Sequence, residues 1–117
     1  MPSKKRVRRS LFYTPEFKRN VRLLSRRYRH IRSDLMPILE RIQAGETPGT
    51  QIPGVRFTVF KVRAKNSDAR KGSRGGYRLI YYLPTPEQAV LITVYSKSDQ
   101  ADVSLQRIRQ IIQESEF

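Results

Sequence analysis

The N-terminal half of the chain carries apolar residues at the spacing of an α-helix. Four of them recur at intervals of four, three and four residues: Phe17, Val21, Leu24 and Tyr28. This spacing places them on one face of a helix. Thr14 and Pro15 stand just before the pattern, where a threonine can cap a helix and a proline fits the first helical position. We therefore predict a helix from Pro15, preceded by a short strand at residues 11–13.

A second helical pattern runs from about Ser33 to Ala44. Its apolar positions are Leu35, Ile38, Leu39 and Ile42. Gly45 follows the pattern and is predicted to cap its C-terminal end. Pro37 is tolerable only in a first turn, where its missing N–H leaves no helical bond unmade. The helix is therefore predicted to begin at Asp34 or to kink at the proline.

The C-terminal half changes to the period of two that is typical of β-strands. Residues 55–63, 77–82 and 89–95 are the predicted strands, and the third is apolar enough to be a central one. A final helix is predicted from Asp102 or Val103. Its apolar stripe consists of Leu105, Ile108, Ile111 and Ile112.

The element order β-α-α-β-β-β-α predicts an α+β domain. Sequential strands with short connections favour a small antiparallel sheet of about four strands, with two N-terminal helices and one C-terminal helix packed on it. Residues 1–9 are predicted to form a basic, disordered arm, because nothing there can bury apolar surface. Residues 10–117 are predicted to be a single domain.

Positive charge is the strongest compositional signal. Twenty-four Lys and Arg residues against ten Asp and Glu residues give a net charge of +14. The first 32 residues hold twelve basic residues and one acidic residue, Glu16. Such a surface attracts polyanions. An anionic membrane or an acidic protein face is the alternative, but the chain has no lipidation motif or long amphipathic helix bearing Trp or Phe. Nucleic acid is therefore the favoured partner.

Several classes of site are disfavoured by the residues that the chain lacks. It has no cysteine and one histidine, His30. Disulfides, thiolate metal sites and cysteine nucleophiles are thereby excluded, and a zinc site or a Ser-His-Asp triad is disfavoured. No apolar run is long enough for a membrane span or a signal peptide. We expect a soluble, cytoplasmic protein without a metal or small-molecule cofactor.

Two groups of cations are the candidate RNA-binding residues. The first lies on the polar face of the first helix: Arg19, Arg22 and Arg26. The second lies in the polar loop before the second long strand: Arg70, Lys71 and Arg74. A solvated charged face is the ordinary interpretation of such a stripe. The loop lacks the spacing of a nucleotide-binding P-loop.

Another set of side chains could meet a phosphodiester at one end of the sheet. Lys61 and Arg63 share a face of one strand, Arg78 lies on the next, Tyr95 ends the third, and Lys97 follows it. Gathered cations suit the extra negative charge of a pentacovalent phosphorane. Each residue also has a plainer interpretation, as a solvated strand residue or, for Tyr95, a core residue. From spacing alone, the sequence predicts a basic α+β domain that binds RNA or DNA.

Residues 71–82 (KGSRGGYRLIYY) and 91–97 (LITVYSK) resemble toxins of the RelE/ParE superfamily, especially the RelE-like and HigB-like branches. The element order agrees over nearly the whole chain. The resemblance implies a toxin of a type II toxin–antitoxin system that cuts mRNA in the ribosomal A site, by metal-independent attack of the adjacent 2′-OH. It implies that Lys61 and Arg63 flank the phosphate, that Arg78 stabilises the transition state, and that Lys97 is the basic residue after the last strand.

The chain departs from the RelE pattern in one respect, because residues 99–106 contain no tyrosine. Tyr95 is the candidate replacement, as in the HigB-like pattern, and the identity of the base stays open. The implied partners are a cognate antitoxin and the ribosome. The alternatives are a ParE-like inhibitor of DNA gyrase, against which the five candidate catalytic residues argue, and a non-catalytic RNA- or ribosome-binding module.

Overall fold

The computed structural model describes residues 7–69, 76–100 and 102–115. Its elements, in chain order, are β1 (Ser10–Tyr13), α1 (Pro15–Ser25), α2 (Ile31–Gln43), β2 (Thr50–Gln51), β3 (Val59–Ala64), β4 (Tyr77–Thr85), β5 (Gln88–Ser96) and α3 (Leu105–Glu114). Most of the predicted arm lies outside the described residues. Arg9, at its end, donates hydrogen bonds from Nη1 to the carbonyl oxygens of Ile42 and Glu46, at 3.1 and 2.6 Å.

The strands form one sheet in the order β1-β5-β4-β3-β2. The predicted α+β class, with two N-terminal helices and one C-terminal helix, is confirmed, but the sheet has five strands rather than about four. The extra strand, β2, has two exposed residues, too few to show any alternation. The sheet is also mixed, because β1 pairs in parallel with β5. Strand patterns do not encode direction, so the antiparallel prediction was wrong for β1.

Helix α1 begins as predicted. Thr14 is its N-cap and Pro15 is its first residue. The Thr14 hydroxyl accepts a hydrogen bond from the Phe17 N–H at 3.0 Å and donates one to the carbonyl of Ile92 on β5 at 2.7 Å. Phe17 and Val21 are buried. The cap therefore both starts the helix and joins it to the sheet.

Helix α2 ends as predicted but starts earlier. Gly45 has φ +96°, and the N–H groups of Gly45 and Glu46 bond the carbonyls of Ile42 and Arg41, which is the Schellman arrangement. The start at Ile31 leaves Pro37 inside the helix, so the prediction of a first-turn proline was wrong. The helix tolerates Pro37 on its exposed side, where only one backbone bond is lost.

The predicted strand at 55–63 begins only at Val59. Residues 53–57 turn instead, and Arg56 has a positive φ of 70°. Val55 is fully buried although it lies outside the sheet. Burial of an apolar residue in an irregular segment produced the same signal as a strand. The strand at 89–95 is an interior one, but β4 holds the middle position.

A β-bulge in β5 decides which residues share a face of the sheet. Ile80 pairs with Thr93 whereas Tyr81 pairs with Leu91, so Ile92 is the extra residue. Val90 and Ile92 pack with α3, but beyond the bulge Val94 packs with α1 and α2. The next residue, Tyr95, therefore returns to the α3 side.

The sheet separates two apolar cores. We call the side covered by α1 and α2 the helix-pair face, and the other side the α3 face. Helix α3 begins at Leu105, later than predicted, and the Ser104 hydroxyl caps it by accepting from the Arg107 N–H. Of its predicted stripe, Ile108, Ile111 and Ile112 are buried and Leu105 is exposed.

Candidate functional site

Three candidate catalytic residues form a row across the α3 face. Arg63 on β3 lies opposite Arg78 on β4, and Arg78 lies opposite Tyr95 on β5. Lys61 shares this side of β3, two residues from Arg63. Directly opposed like charges destabilise a sheet. We call Lys61, Arg63 and Arg78 the cationic cluster, and its arrangement indicates a site for an anion.

Arg78 is the buried member of the cluster. Its residue is 8% exposed, and its Nη1 donates to the carbonyl of Tyr77 at 3.3 Å. Among the described residues, no carboxylate forms a salt bridge with it. Burial, followed by the charge of Arg63, lowers the pKa of Arg78 from its usual value, and Tyr95 and Asp102 partly oppose this. A buried guanidinium without a counterion is costly, and a bound phosphate would supply the missing charge.

Asp102 is the residue of this site that sequence reasoning missed. Its Oδ1 accepts hydrogen bonds from Lys61 Nζ and from Tyr95 Oη, each at 3.0 Å. The bond from Lys61, followed by the bond from Tyr95, holds the pKa of Asp102 below its usual value, and the charge of Lys97 adds to this. Asp102 precedes α3 in an irregular segment, where no periodic pattern could single it out. Its position seven residues after Tyr95, at the predicted start of the last helix, was the signal that could have pointed to it.

Tyr95 keeps its proton at neutral pH. The residue is 4% exposed. Burial is the largest cause that raises the pKa of Tyr95 to about 12, the contact with Asp102 raises it further, and the charge of Arg78 opposes the shift. The hydroxyl therefore donates to the Asp102 carboxylate. A free tyrosinate base is not available at this position near pH 7.

Lys97 lies just beyond β5, next to this group. Its N–H donates to the Gly76 carbonyl at 3.0 Å. Gly76 immediately precedes β4. A Cβ on this residue would lie 2.3 Å from the carbonyl oxygen of Ala64. Only a glycine allows the chains to approach so closely before Arg78. This backbone contact fixes Lys97 at the same end of the sheet, where its charge acts on Asp102.

The candidate RNA-binding residues are divided between described and undescribed parts of the chain. Arg19, Arg22 and Arg26 are exposed on or next to α1. Glu16 lies 4.0 Å from Arg19 and also pairs with Arg107 of α3. The remaining three candidates lie outside the described residues: Arg70, Lys71 and Arg74.

Two cavities differ in chemistry. One of about 420 Å³ opens between α1, β5 and α3, and Asn20, Tyr95, Asp102 and Arg107 are among its lining residues. The other, of about 340 Å³, is an apolar groove between α1 and α2, away from the cationic cluster. The polar cavity adjoins Tyr95 and Asp102, so solvent or a substrate group can reach them from that side.

Within the described ranges, no group of three or more His, Asp or Glu side chains is arranged to hold a metal ion. No helix in the same part of the chain is long and apolar enough to cross a membrane. No protein-family model matches the chain, and no curated protein matches it either. The site itself offers three cations, a protonated phenol and a carboxylate at one end of a sheet. These groups can bind a phosphodiester, stabilise added negative charge on it and move a proton.

Proposed function

We propose that this protein is a RelE/HigB-like toxin, an endoribonuclease that cuts mRNA in the ribosomal A site. The observation that carries the proposal is Arg78, which is buried, lacks a carboxylate partner among the described residues and lies opposite Arg63. A polyanionic substrate explains why a fold would keep two arginines side by side at a sheet end. The net charge of +14 supports the same class of partner.

The proposed chemistry is transfer of the phosphoryl group to the neighbouring 2′-OH. The P–O2′ bond forms and the P–O5′ bond breaks, which leaves a 2′,3′-cyclic phosphate and a free 5′-OH. The guanidinium groups of Arg63 and Arg78 bind the non-bridging oxygens and stabilise the charge that grows on them in the transition state. Lys61 adds a point charge beside them. The reaction in this form needs no metal ion.

The arginines on and next to α1 have a different role in the proposal. Arg19, Arg22 and Arg26 are exposed and would contact ribosomal RNA through its phosphates. Such contacts strengthen binding without reading sequence, and they weaken as salt concentration rises. The other proposed partner is an antitoxin, whose acidic surface would cover the cations. A cytoplasmic location follows from the ribosomal substrate.

The proposal is tested with purified protein, a defined mRNA, and ribosomes added or withheld. We expect cleavage only when ribosomes are present. Arg78→Ala should lower the cleavage rate by about 100- to 1,000-fold, because it removes a transition-state donor. Arg78→Lys should restore only part of it, since lysine cannot bind phosphate in a bidentate manner. Arg32→Ala is the matched control, because Arg32 is exposed on α2.

Three outcomes would contradict the proposal. Unchanged cleavage by a folded Arg78→Ala variant would show that the cationic cluster is not catalytic. Inhibition of DNA gyrase without RNA cleavage would favour the ParE-like alternative. Ribosome binding without cleavage would identify a non-catalytic RNA-binding module. Circular dichroism of each variant establishes that the fold survives.

A further inference from the structure

Residues 102–104 lie across the α3 face between the end of β5 and the start of α3. Each of the three has a contact that holds it there. Val103 packs against the apolar core of that face, Ser104 caps α3, and Asp102 bonds two side chains of the sheet. Asp102 is therefore held in place by the fold although its side chain is 58% exposed.

The Asp102 carboxylate joins two strands that are not neighbours. Lys61 belongs to β3 and Tyr95 to β5, and both donate to the same oxygen, Oδ1. Arg78 on β4 lies between them in the sheet. We infer that Asp102 is a positioning residue, which fixes the Tyr95 hydroxyl and the Lys61 ammonium on either side of Arg78 for the proposed RNA cleavage. The inference rests on the proposed function.

The hydrogen bond sets the direction of the phenol proton. Because Tyr95 donates to Asp102, the oxygen lone pairs of the phenol point elsewhere and can accept a hydrogen bond from an attacking 2′-OH. During attack the 2′-OH proton can pass to Tyr95 Oη while the phenol proton passes to Asp102. The P–O2′ bond then forms, the P–O5′ bond breaks, and the departing oxygen takes a proton from water. Asp102 returns its proton to solvent, so Tyr95 never has to ionise on its own.

Several charged groups lie around Tyr95 and Asp102, and two of them, Asp102 and Arg78, shift the pKa of Tyr95 directly. The whole set is Arg78 on β4, Lys61 on β3, Lys97 beyond β5, Glu16 on α1, Arg107 on α3, and Asp102 itself. Asp102 raises the pKa of Tyr95 and Arg78 lowers it. Removal of the Asp102 charge must therefore lower the pKa of Tyr95 from about 12.

The first experiment compares Asp102→Asn with the wild type in the ribosome-dependent assay. We expect kcat to fall by about 10- to 100-fold, as for loss of a supporting hydrogen bond, with KM little changed. The wild-type rate should be nearly flat between pH 6 and 9. The variant's rate should rise with pH, because the reaction then depends on ionised Tyr95 or on hydroxide. Asp102→Glu should restore part of the rate.

Asp99→Asn is the matched control. Asp99 is an acid of the same connecting segment, but it pairs with Arg27 on the exposed surface. We expect the wild-type rate and pH profile for this variant. A second control is Tyr95→Phe, because Asp102→Asn should have a smaller further effect on kcat once the phenol is absent and only the contact with Lys61 is lost.

A readout without RNA separates this inference from the proposed function. The carbon-13 NMR signal of the Tyr95 ring should titrate at lower pH in Asp102→Asn than in the wild type. Full activity with a flat pH profile in Asp102→Asn would overturn the inference alone. Faster cleavage by the variant would also overturn it, because Asp102 would then compete with the substrate phosphate. A wild type that never cleaves RNA would overturn the proposed function and the inference together, whatever the NMR titration of Tyr95 shows.

Discussion

The two faces of the sheet are built from the same strands but have different chemistry. Tyr77 and Arg78 are neighbours on β4, and both are buried. Tyr77 contributes to the apolar core beneath α1 and α2, where its ring packs edge-on against Tyr28. Arg78 faces the other side, in a row with Arg63 and Tyr95. The comparison shows how one strand serves stability on one face and a charged site on the other.

The difference arises from how far the helices extend over the sheet. On the helix-pair face, α1 and α2 cover β3 and β4 as far as Ala64 and Tyr77. On the α3 face, Ile108, Ile111 and Ile112 cover the apolar part of the sheet and leave the end with Arg63 exposed. Arg63 therefore stays exposed at this end of the sheet, whereas Arg78 beside it is buried. The following predictions test that division, from the largest expected effect to the smallest.

Arg78→Met should separate stability from activity. It removes a buried cation that lies opposite Arg63, so we expect the free energy of unfolding to rise by about 1 kcal/mol. Cleavage should fall by about 100- to 1,000-fold, because methionine cannot bind phosphate. Thermal unfolding and the ribosome-dependent assay measure the two effects. A variant that loses stability would show that Arg78 supports the fold.

Leu79→Ala should lower the unfolding free energy, which Arg78→Met is expected to raise. Leu79 is fully buried on the helix-pair face, and its truncation should cost about 3 kcal/mol of unfolding free energy. Arg63→Ala, on the exposed side of β3, should change that free energy by less than about 0.5 kcal/mol. Urea unfolding of both variants makes the comparison. Similar losses in the two would contradict the assignment of stability to one face.

Two tyrosines on the helix-pair face should respond differently to removal of the hydroxyl. Tyr81 Oη donates to the Pro48 carbonyl at 2.6 Å, so Tyr81→Phe should cost about 1 kcal/mol. The buried Tyr77 hydroxyl has no partner among the described residues, so Tyr77→Phe should be neutral or slightly stabilising. Chemical unfolding measures both. A larger loss for Tyr77→Phe than for Tyr81→Phe would contradict this hydrogen-bond pattern.

The pH dependence of stability should include a contribution from Asp68. Its carboxylate accepts from the His30 N–H at 2.8 Å, at the start of α2, and lies 2.7 Å from His30 Nδ1. These contacts lower the pKa of Asp68 below its usual 3.8. The stabilisation is therefore present above that value and is lost as pH falls through the lower pKa of the folded state.

Asp68→Asn should therefore be less stable than the wild type at pH 7, and this difference should shrink in strong acid. Glu40→Gln, on the exposed side of α2, is the control and should leave the curve unchanged. Unfolding curves recorded between pH 2 and 7 provide the measurement. A difference that stayed constant down to the lowest pH would show that Asp68 does not act through its charge.

Local sequence signals determined the presence of the three helices, the N-cap of α1, the C-terminal end of α2 and the class of fold. Thr14 with Pro15 marked the start of α1, and Gly45 marked the end of α2, because a cap depends on neighbouring residues alone. The start of α2 could not be predicted in this way. His30, the residue just before that start, donates its N–H to the carboxylate of Asp68, which lies 38 residues further along the chain.

The candidate site was also only partly encoded in local patterns. Alternation along β3 placed Lys61 and Arg63 on a common face without any knowledge of the fold. Tyr95 is different, because simple alternation from Val90 would place it on the opposite face of the sheet. The bulge at Ile92 restores it to the side of Arg78, and a bulge depends on how the paired strands and the helices above them pack.

The sequence by itself therefore determined the basic character of the chain, its α+β class and the cations that could hold a phosphate. Only the tertiary structure decided that β1 is parallel to β5, that Tyr95 faces Arg78, and that Asp102 joins Lys61 to Tyr95. The physical reason is the separation along the chain between the residues that decide each feature. Caps and alternation arise between residues close in the chain, whereas strand direction, bulges and a shared hydrogen-bond acceptor depend on segments that meet only after the chain has folded.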